Sequence, residues 1–250
     1  YCISFDDALL CQYNYALPIL KKYNIKSIFF IYSSVFDKKI IEFEIFRRFR
    51  YLYYSSFIRF YNDFLEEYYT LGKKQIIFYK YQKIYNNIKN ICPFYTKEDI
   101  YFRIIRDQIL KKDEFSKIMN SMVSKKTTIK KLSKNVWMKN HHLKLLSAKN
   151  HLLGLHGYNH SFDFQKLTYD QQESELTKNF NHLFKVTKKK PTIIAYPSNS
   201  YNKNTINISK KLGVKFGFRA NHEDYHKYHK NFHDYEIPRL DHSVLMKNIK

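Results

Sequence analysis

A strand, a helix and a second strand within the first 32 residues constrain the fold more than any other feature. Residues 1–5 have the length of a buried strand, residues 9–23 carry apolar side chains at helical spacing, and residues 26–32 form a continuous apolar run. Pro18 predicts a kink or an irregular turn in the helix. Because two strands joined by a crossover helix run parallel, we predict an α/β fold on a parallel sheet.

The same alternation returns after residue 136. Strands are predicted at residues 151–156, 191–196, 214–219 and 235–240, and helices at residues 137–148, 168–186 and 203–212. Thr168 and Gln171 form a capping pattern at the start of the second of these helices, and Gly213 ends the third. The chain therefore carries six predicted strands.

The middle of the chain interrupts this alternation. Residues 42–69 and 100–123 have Phe, Tyr and Ile at spacings near 3.6 residues, which is typical of helices. We therefore predict a helical insertion over residues 36–135, within a single domain spanning residues 1–250. We expect the insertion to cover the carboxyl end of the sheet.

Composition excludes several classes of protein. An apolar content of 44% excludes a disordered chain, and no apolar run approaches the roughly 18 residues of a membrane helix. The net charge of +22 suggests a nucleic acid or another polyanion as a partner. However, the lysines are scattered, and a chain rich in Lys, Asn and Ile but poor in Arg and Gly is typical of an AT-rich genome. We therefore do not expect nucleic-acid binding.

Cys2, Cys11 and Cys92 have no Cys-x-x-Cys spacing. Their low number fits a reducing compartment, so we expect a cytoplasmic protein. The sequence does not begin with Met, which leaves export open.

Polar clusters follow three of the predicted strands, where parallel α/β folds place their chemistry. They are Asp6-Asp7, residues 156–160 and residues 196–202. Two imidazoles four residues apart on a helical turn, His156 and His160, present their nitrogens to one side, as a metal requires. A neighbouring carboxylate completes such a site, and a second one can act as a general base.

A second histidine cluster has the same spacing: His222, His226, His229 and His233. These residues lie in a polar connection, whereas His156 ends an apolar strand. We therefore predict the metal at His156 and interpret the second cluster as a solvated loop.

Four segments, in order, resemble the motifs of the polysaccharide deacetylases of the NodB type (carbohydrate esterase family four). They are Ser-Phe-Asp-Asp-Ala at residues 4–8, the helix, strand and histidine pair at residues 145–160, Ala-Tyr-Pro-Ser-Asn-Ser-Tyr-Asn at residues 195–202, and Ile-Pro-Arg at residues 237–239. The third is similar to the Tyr-Pro-Phe-Gly-x-Tyr-Asn loop of one branch of the family.

This resemblance implies a barrel-like fold with fewer than eight strands and an activity that removes the N-acetyl group of an amino sugar. It implies a metal bound by Asp7, His156 and His160, most often zinc, with cobalt or another divalent ion accepted. Asp6 matches the catalytic base. The third motif implies a substrate-binding loop, for which the candidates are Tyr196, Pro197, Asn199 and Tyr201.

The chain departs from these motifs at a few positions. Ala8 replaces a Gly, a change that the turn tolerates if it keeps φ negative. Ser198 and Asn199 replace Phe-Gly, and Asn199 can adopt the left-handed backbone. His242 is the candidate general acid. Arg239 is a candidate catalytic residue, and the alternatives are that it orients Asp6 or bridges strand ends.

Three alternatives stay open. The chain could be an O-deacetylase or a deformylase on the same scaffold, a glycan-binding protein that has lost catalysis, or a basic protein that binds an anionic polymer. The expected partner in the first two cases is an acylated carbohydrate. The sequence does not decide the oligomeric state.

Overall fold

The computed structural model of this protein describes residues 2–221 and 233–241. The chain folds into two compact units. The first joins the residues before Ile40 to those after Val136, and the second consists of residues 40–136. No helix in the described part of the chain is long and apolar enough to cross a membrane.

The first unit is built on a parallel sheet of six strands that lie in chain order and curl into a half-barrel. The strands are β1 (Ile3–Phe5), β2 (Ser27–Ile31), β3 (Leu152–Leu155), β4 (Ile193–Ala195), β5 (Phe216–Asn221) and β6 (Ile237–Leu240). The prediction of a barrel-like α/β fold with fewer than eight strands is therefore confirmed.

Helices surround this sheet. They are a π-helical turn (Gln12–Ala16) continuing into α1 (Leu17–Lys22), then α8 (Asn140–Ala148), α9 (Tyr169–Thr187) and α10 (Lys203–Lys211), with short 3₁₀ turns at Ser34–Asp37, Phe164–Lys166 and Pro197–Asn199. The predicted irregular turn near Pro18 is the π-helical turn, which ends directly before α1. The predicted start of α8 at Trp137 is wrong, because Trp137 forms an antiparallel bridge with Leu9.

Strand β2 shows how the sheet is buried. Phe29 and Ile31 pack into the larger core with the helices, whereas Ile28 and Phe30 pack on the other face with residues of β4. A parallel strand buried on both faces needs apolar side chains at every position, which explains the continuous apolar run. Gly154 of β3 lies so close to the Phe30 ring that no Cβ fits there.

The second unit consists of helices. They are α2 (Glu42–Tyr53), α3 (Phe57–Thr70), α4 (Gln82–Ile91), α5 (Lys97–Ile104), α6 (Lys112–Lys126) and α7 (Ile129–Leu132), with a 3₁₀ turn at Phe78–Tyr81 and a π-helical turn at Ile105–Ile109. Phenylalanines form much of its interior: Phe60, Phe64 and Phe102 stack edge to face or in parallel.

Candidate metal centre

Three potential metal ligands converge at the carboxyl end of the sheet in the first unit. Asp7 follows β1, and His156 and His160 follow β3. Oδ1 of Asp7 lies 3.4 Å from Nε2 of His156 and 3.2 Å from Nε2 of His160. One ligand atom from each residue lies within 4.8 Å of the others, which makes this a possible site for a metal ion.

Hydrogen bonds fix the orientation of His156. Its side chain is buried, and Nδ1 lies 2.8 Å from the carbonyl oxygen of Ala195 at the end of β4. Because a carbonyl only accepts, Nδ1 carries the proton in this contact, and the lone pair of a neutral ring is on Nε2, which faces Asp7. A backbone carbonyl behind a histidine is a usual arrangement around metal ligands.

The four-residue spacing predicted that His156 and His160 lie on a helical turn. In the structure, His160 lies in a loop instead. The chain after β3 bends through Gly157 and His160, whose φ angles are +75° and +53°. These left-handed residues fold the loop back, so that His160 returns toward Asp7. The four-residue spacing therefore works through a loop rather than through a helix.

Two residues of α9 hold this loop, and neither was predicted from the sequence. Glu175 accepts hydrogen bonds from the backbone N–H groups of Tyr158 (3.2 Å) and Asn159 (2.8 Å). Asn179 is fully buried. It accepts from the backbone N–H of His156 (2.9 Å) and donates to the carbonyl of Ile31 (2.9 Å).

The signal for Asn179 was present in the sequence. Leu176, Asn179, Leu183 and Val186 follow one another at spacings of three and four residues along the buried face of α9. A polar residue in such an apolar stripe needs a buried hydrogen-bond partner, so it indicates a structural or functional contact.

Asp6 faces the same site but is bound by Arg239. Its two carboxylate oxygens accept hydrogen bonds of 2.7 and 2.8 Å from Nη1 and Nη2 of the guanidinium. Nη1 also donates to the Ser4 hydroxyl (3.1 Å), and the guanidinium carbon lies 5.1 Å from the centre of the Phe30 ring. Oδ2 of Asp6 is 4.0 Å from Nε2 of His156. The geometry therefore gives Arg239 a contact that orients Asp6.

The turn after Asp6 differs from expectation. Asp7 and Ala8 have φ angles of +77° and +55°, so the turn does not keep the negative φ that was the condition for tolerating Ala8. Tertiary contacts hold the turn: the carbonyl of Ala8 accepts a hydrogen bond of 2.8 Å from Met138, and the Ala8 methyl group is fully buried. These contacts outweigh the preference of alanine for negative φ.

The loop after β4 keeps the left-handed backbone expected at Asn199. Ser198 and Asn199 have φ angles of +51° and +57°. The Asn199 side-chain oxygen accepts a hydrogen bond of 2.9 Å from the backbone N–H of Ala220 in β5. The loop is thus tied to the neighbouring strand.

The other side chains predicted to bind substrate have structural contacts. Tyr196 and Pro197 are buried, and the Tyr196 hydroxyl donates to the carbonyl of Tyr235 (2.8 Å). Tyr201 stacks on Tyr196 at 4.1 Å and donates from its hydroxyl to Glu236 (2.8 Å). The side chains of Tyr196 and Pro197 therefore hold the loop in place, and a role of these residues in substrate binding stays a prediction.

The remaining candidates lie at the end of the chain. His242, the candidate general acid, and three members of the second histidine cluster, His222, His226 and His229, lie outside the described residues. His233 is described, and its Nδ1 accepts a hydrogen bond of 3.2 Å from the backbone N–H of Tyr235. Within residues 2–221 and 233–241, the group of Asp7, His156 and His160 is the one arrangement with metal-ligand geometry.

The pKa values of the two imidazoles are shifted in opposite directions. Burial opposes a charge on His156, but the carboxylates of Asp6 and Asp7 outweigh it and raise the pKa of His156. Burial, assisted by the neighbouring His156, lowers the pKa of His160 to about 4. The cluster thus attracts one positive charge between its carboxylates. Two imidazole nitrogens and a carboxylate oxygen are also a donor set that suits a divalent transition metal, so the residues present fit such an ion.

Comparison with known proteins supports the same family as the motifs. Residues 118–217, which include both histidines, match the family model described as polysaccharide deacetylase. No curated protein matches the chain.

Solved structures share the fold. A Streptococcus pyogenes deacetylase, PplD, in complex with acetate is 15% identical, with a TM-score of 0.52 over 100% of this chain and 70% of that chain. A de-N-acetylase from Aggregatibacter actinomycetemcomitans is 14% identical, with a TM-score of 0.52 over 98% and 73% of the two chains. The BpsB deacetylase domain from Bordetella bronchiseptica is 10% identical, with a TM-score of 0.50 over 95% and 69%. Residues 118–217 thus match the polysaccharide deacetylase family model, and the half-barrel of six parallel strands is the fold that the chain shares with these deacetylases.

Proposed function

We propose that this protein is a metal-dependent deacetylase that removes the N-acetyl group from an amino sugar of a polysaccharide or glycan precursor. The observation that carries this proposal is the convergence of Asp7, His156 and His160 beside a second carboxylate, Asp6, that is oriented by Arg239. The family match and the deacetylases with the same fold support the reaction class.

Asp7, His156 and His160 are the residues that would hold the metal. The ring of His156 is already oriented by the carbonyl of Ala195, so little rearrangement is needed for Nε2 to act as a ligand. Zinc is the ion that suits such a nitrogen-rich set best, and cobalt binds similar sites. A bound divalent cation supplies Lewis acidity toward a carbonyl oxygen and lowers the pKa of water.

Asp6 is the proposed general base. Its carboxylate lies beside the ligand cluster without belonging to it, with Oδ2 4.0 Å from Nε2 of His156. The Arg239 guanidinium occupies one lone pair of each oxygen, and each oxygen keeps a second lone pair that can accept a proton from water. The bidentate contact holds the carboxylate in one orientation, which shortens the search for a productive geometry.

The loop at residues 196–202 is the proposed wall of the substrate site. It follows β4, the strand next to β3, and backbone N–H groups in such a loop can stabilise an oxyanion. Its stacked pair of Tyr196 and Tyr201 keeps it rigid. We propose that the loop acts through its backbone and through the exposed Asn199.

Acetate release by the zinc-loaded protein tests this function. N-acetylglucosamine oligomers and a matched O-acetylated sugar are the substrates, His156→Ala is the variant that lacks a ligand, and His141→Ala, at an exposed position, is the matched control. We expect release from the N-acetylated substrate that is abolished in His156→Ala and unchanged in His141→Ala.

Two other outcomes would reject the proposal. Release from the O-acetylated sugar alone would assign an esterase. Saturable binding of oligomers by metal-loaded protein, without release of acetate from either substrate, would assign a binding protein.

A further inference from the structure

The helical unit contains a cavity of about 200 Å³ with an unusual lining. Its walls combine the side chains of five phenylalanines and a methionine with five charged ones, those of Arg47, Arg50, Arg103, Arg106 and Asp99. Four guanidinium groups therefore share a small space with one carboxylate.

The choice of arginine here is informative because the chain uses it so rarely. Only eight of its 44 basic residues are arginines, and four of these eight line this cavity. Two arginines outside the cavity have specific contacts: Arg239 binds Asp6, and Arg48 donates to the carbonyls of Leu132 and Lys134. In a chain that otherwise uses lysine for positive charge, a group of arginines indicates that the planar, multidentate donor is needed.

Two of the four guanidinium groups are neutralised by nearby carboxylates. Arg47 pairs with Glu44 at 2.8 Å, and Arg106 makes a bidentate pair with Asp107 at 2.6 and 2.7 Å. Both of these acidic residues lie on the same helix segments as their partners, so the pairs are local.

The other two have no ion pair within the described part of the chain. Arg50 lies over the ring of Phe57 at 5.0 Å, and Arg103 lies over the ring of Tyr95 at 4.1 Å. Nε of Arg103 is buried without a hydrogen-bond partner there. Burial lowers the pKa of Arg50, and the positive charges of Arg103 and Arg47 add to this effect, while Asp99 opposes it. Positive charge is thus concentrated here beyond what the unit itself neutralises.

We infer that this cavity binds a small amphiphilic anion, with a phosphate or carboxylate group against Arg50 and Arg103 and an apolar group against the phenylalanines. A guanidinium presents parallel N–H donors that match two oxygens of either anion. The phenylalanine wall favours an attached apolar group, because an inorganic anion alone would leave that surface dry and unfilled. The site belongs to the helical unit and is independent of the proposed deacetylase activity.

The test uses the full-length protein and four probes. Phenyl phosphate and benzoate represent the two anions, inorganic phosphate lacks the ring, and phenol lacks the charge. Calorimetric titration and the thermal midpoint are measured for the wild type and for Arg50→Lys, Arg103→Lys and Arg103→Gln. The matched control is Arg59→Lys on α3, at an exposed position outside the cavity.

We expect saturable binding of phenyl phosphate or benzoate, weaker binding of inorganic phosphate, and none of phenol. Arg103→Lys and Arg50→Lys should each lower the affinity for the aromatic anion about tenfold, because a lysine retains the charge but not the paired N–H donors of the guanidinium. Arg59→Lys should leave this affinity unchanged. The aromatic anion that binds more tightly, phenyl phosphate or benzoate, identifies the charged group that the cavity prefers.

Three results would overturn the inference. These are the absence of saturable binding of both aromatic anions to the wild type, equal binding of phenol and phenyl phosphate, and equal losses in Arg103→Lys and Arg59→Lys. The wild-type titrations decide the matter even if Arg103→Gln fails to fold.

Discussion

Arg239 binds both carboxylate oxygens of Asp6 across 233 residues of sequence. The two residues belong to opposite edges of the sheet, since β1 and β6 are the first and the last strands in its order. The guanidinium reaches Asp6 over the Phe30 ring on the inner face of the half-barrel. A charged contact thus links the two edges that backbone pairing leaves apart, and it does so at the proposed base.

This contact predicts that Arg239→Lys slows catalysis while leaving metal binding intact. A lysine cannot hold two carboxylate oxygens in one plane, so Asp6 loses its fixed orientation. We expect kcat to fall about ten- to hundredfold with a small change in KM, as for other residues that orient a catalytic group. Steady-state kinetics of acetate release and metal analysis measure this.

Arg219→Lys is the matched control, because Arg219 lies in β5 and donates to the carbonyl of Ala220 rather than to Asp6. If Arg239→Lys changes KM alone, Arg239 binds substrate. If it removes the metal, the contact serves the ligand cluster instead.

The different roles proposed for the adjacent Asp6 and Asp7 predict different effects of their substitution. Asp7→Ala removes a proposed ligand, so it should lose both zinc and activity. Asp6→Asn keeps the shape of the side chain but cannot accept a proton, so it should keep zinc and substrate binding and lose about 10²–10⁴ in rate. Metal content, oligomer binding and acetate release are measured in parallel on both proteins. Wild-type activity in Asp6→Asn would exclude Asp6 as the base.

The loop that carries His160 predicts a role for Glu175 in metal affinity. Glu175→Gln weakens the acceptor of two backbone N–H groups, so the loop at residues 157–160 should become less ordered. We expect zinc affinity to fall about tenfold or more, as for other residues behind the ligands. Glu173→Gln is the control, because Glu173 lies two residues earlier in α9 and accepts from the Tyr169 hydroxyl instead of the loop. Unchanged zinc affinity in Glu175→Gln would show that the loop is ordered by other contacts.

Periodicity and motif order were enough to predict the sheet and the three proposed ligands. The strands β1 to β4 are short apolar runs, and a polar cluster follows each of β1, β3 and β4, so Asp7 and His156 could be placed at one edge of the sheet. A parallel sheet brings these strand ends together whatever the loops do.

The contacts behind the ligands were not predictable in the same way. Asn179 joins the ends of β2 and β3 from a helix, and that meeting depends on how α9 packs rather than on spacing. The φ of Ala8 depends on a hydrogen bond from Met138, which lies 130 residues away in the chain. Local preference favoured the opposite conformation, and tertiary contacts overrode it.

The shifted pKa values of His156 and His160 predict that a single protonation, that of His156, controls zinc affinity until the pH falls to about 4. A protonated imidazole cannot bind a metal, so below the raised pKa of His156 one proton must leave before zinc binds. We expect affinity to fall about tenfold per pH unit below that pKa. A second proton should compete only near pH 4, the pKa of His160.

Calorimetry in buffers of different ionisation enthalpy measures the protons released. About one proton should be released on the acidic side of the His156 pKa and fewer above it. His182→Gln is the control, because His182 also has a lowered pKa but contacts Asn140 and Phe36 instead of the cluster. Release of two protons at pH 6 would contradict the low pKa of His160.

The left-handed backbone at Ala8 predicts an unusual tolerance to glycine. Ala8→Gly removes about 1–2 kcal/mol of backbone strain, but it also deletes a buried methyl worth about 0.8 kcal/mol and loosens the unfolded chain by about 0.4–1 kcal/mol. The free energy of unfolding should therefore change by less than about 1 kcal/mol.

Ala8→Val places a branched side chain in the same backbone region within a packed core, so it should destabilise by about 2 kcal/mol or more. Denaturant unfolding of metal-free protein measures both, with Ala148→Gly at the exposed end of α8 as the control, where the same substitution should cost no more than about 0.5–1 kcal/mol. A loss above about 2 kcal/mol in Ala8→Gly would mean that the methyl group, rather than the backbone conformation, dominates this turn.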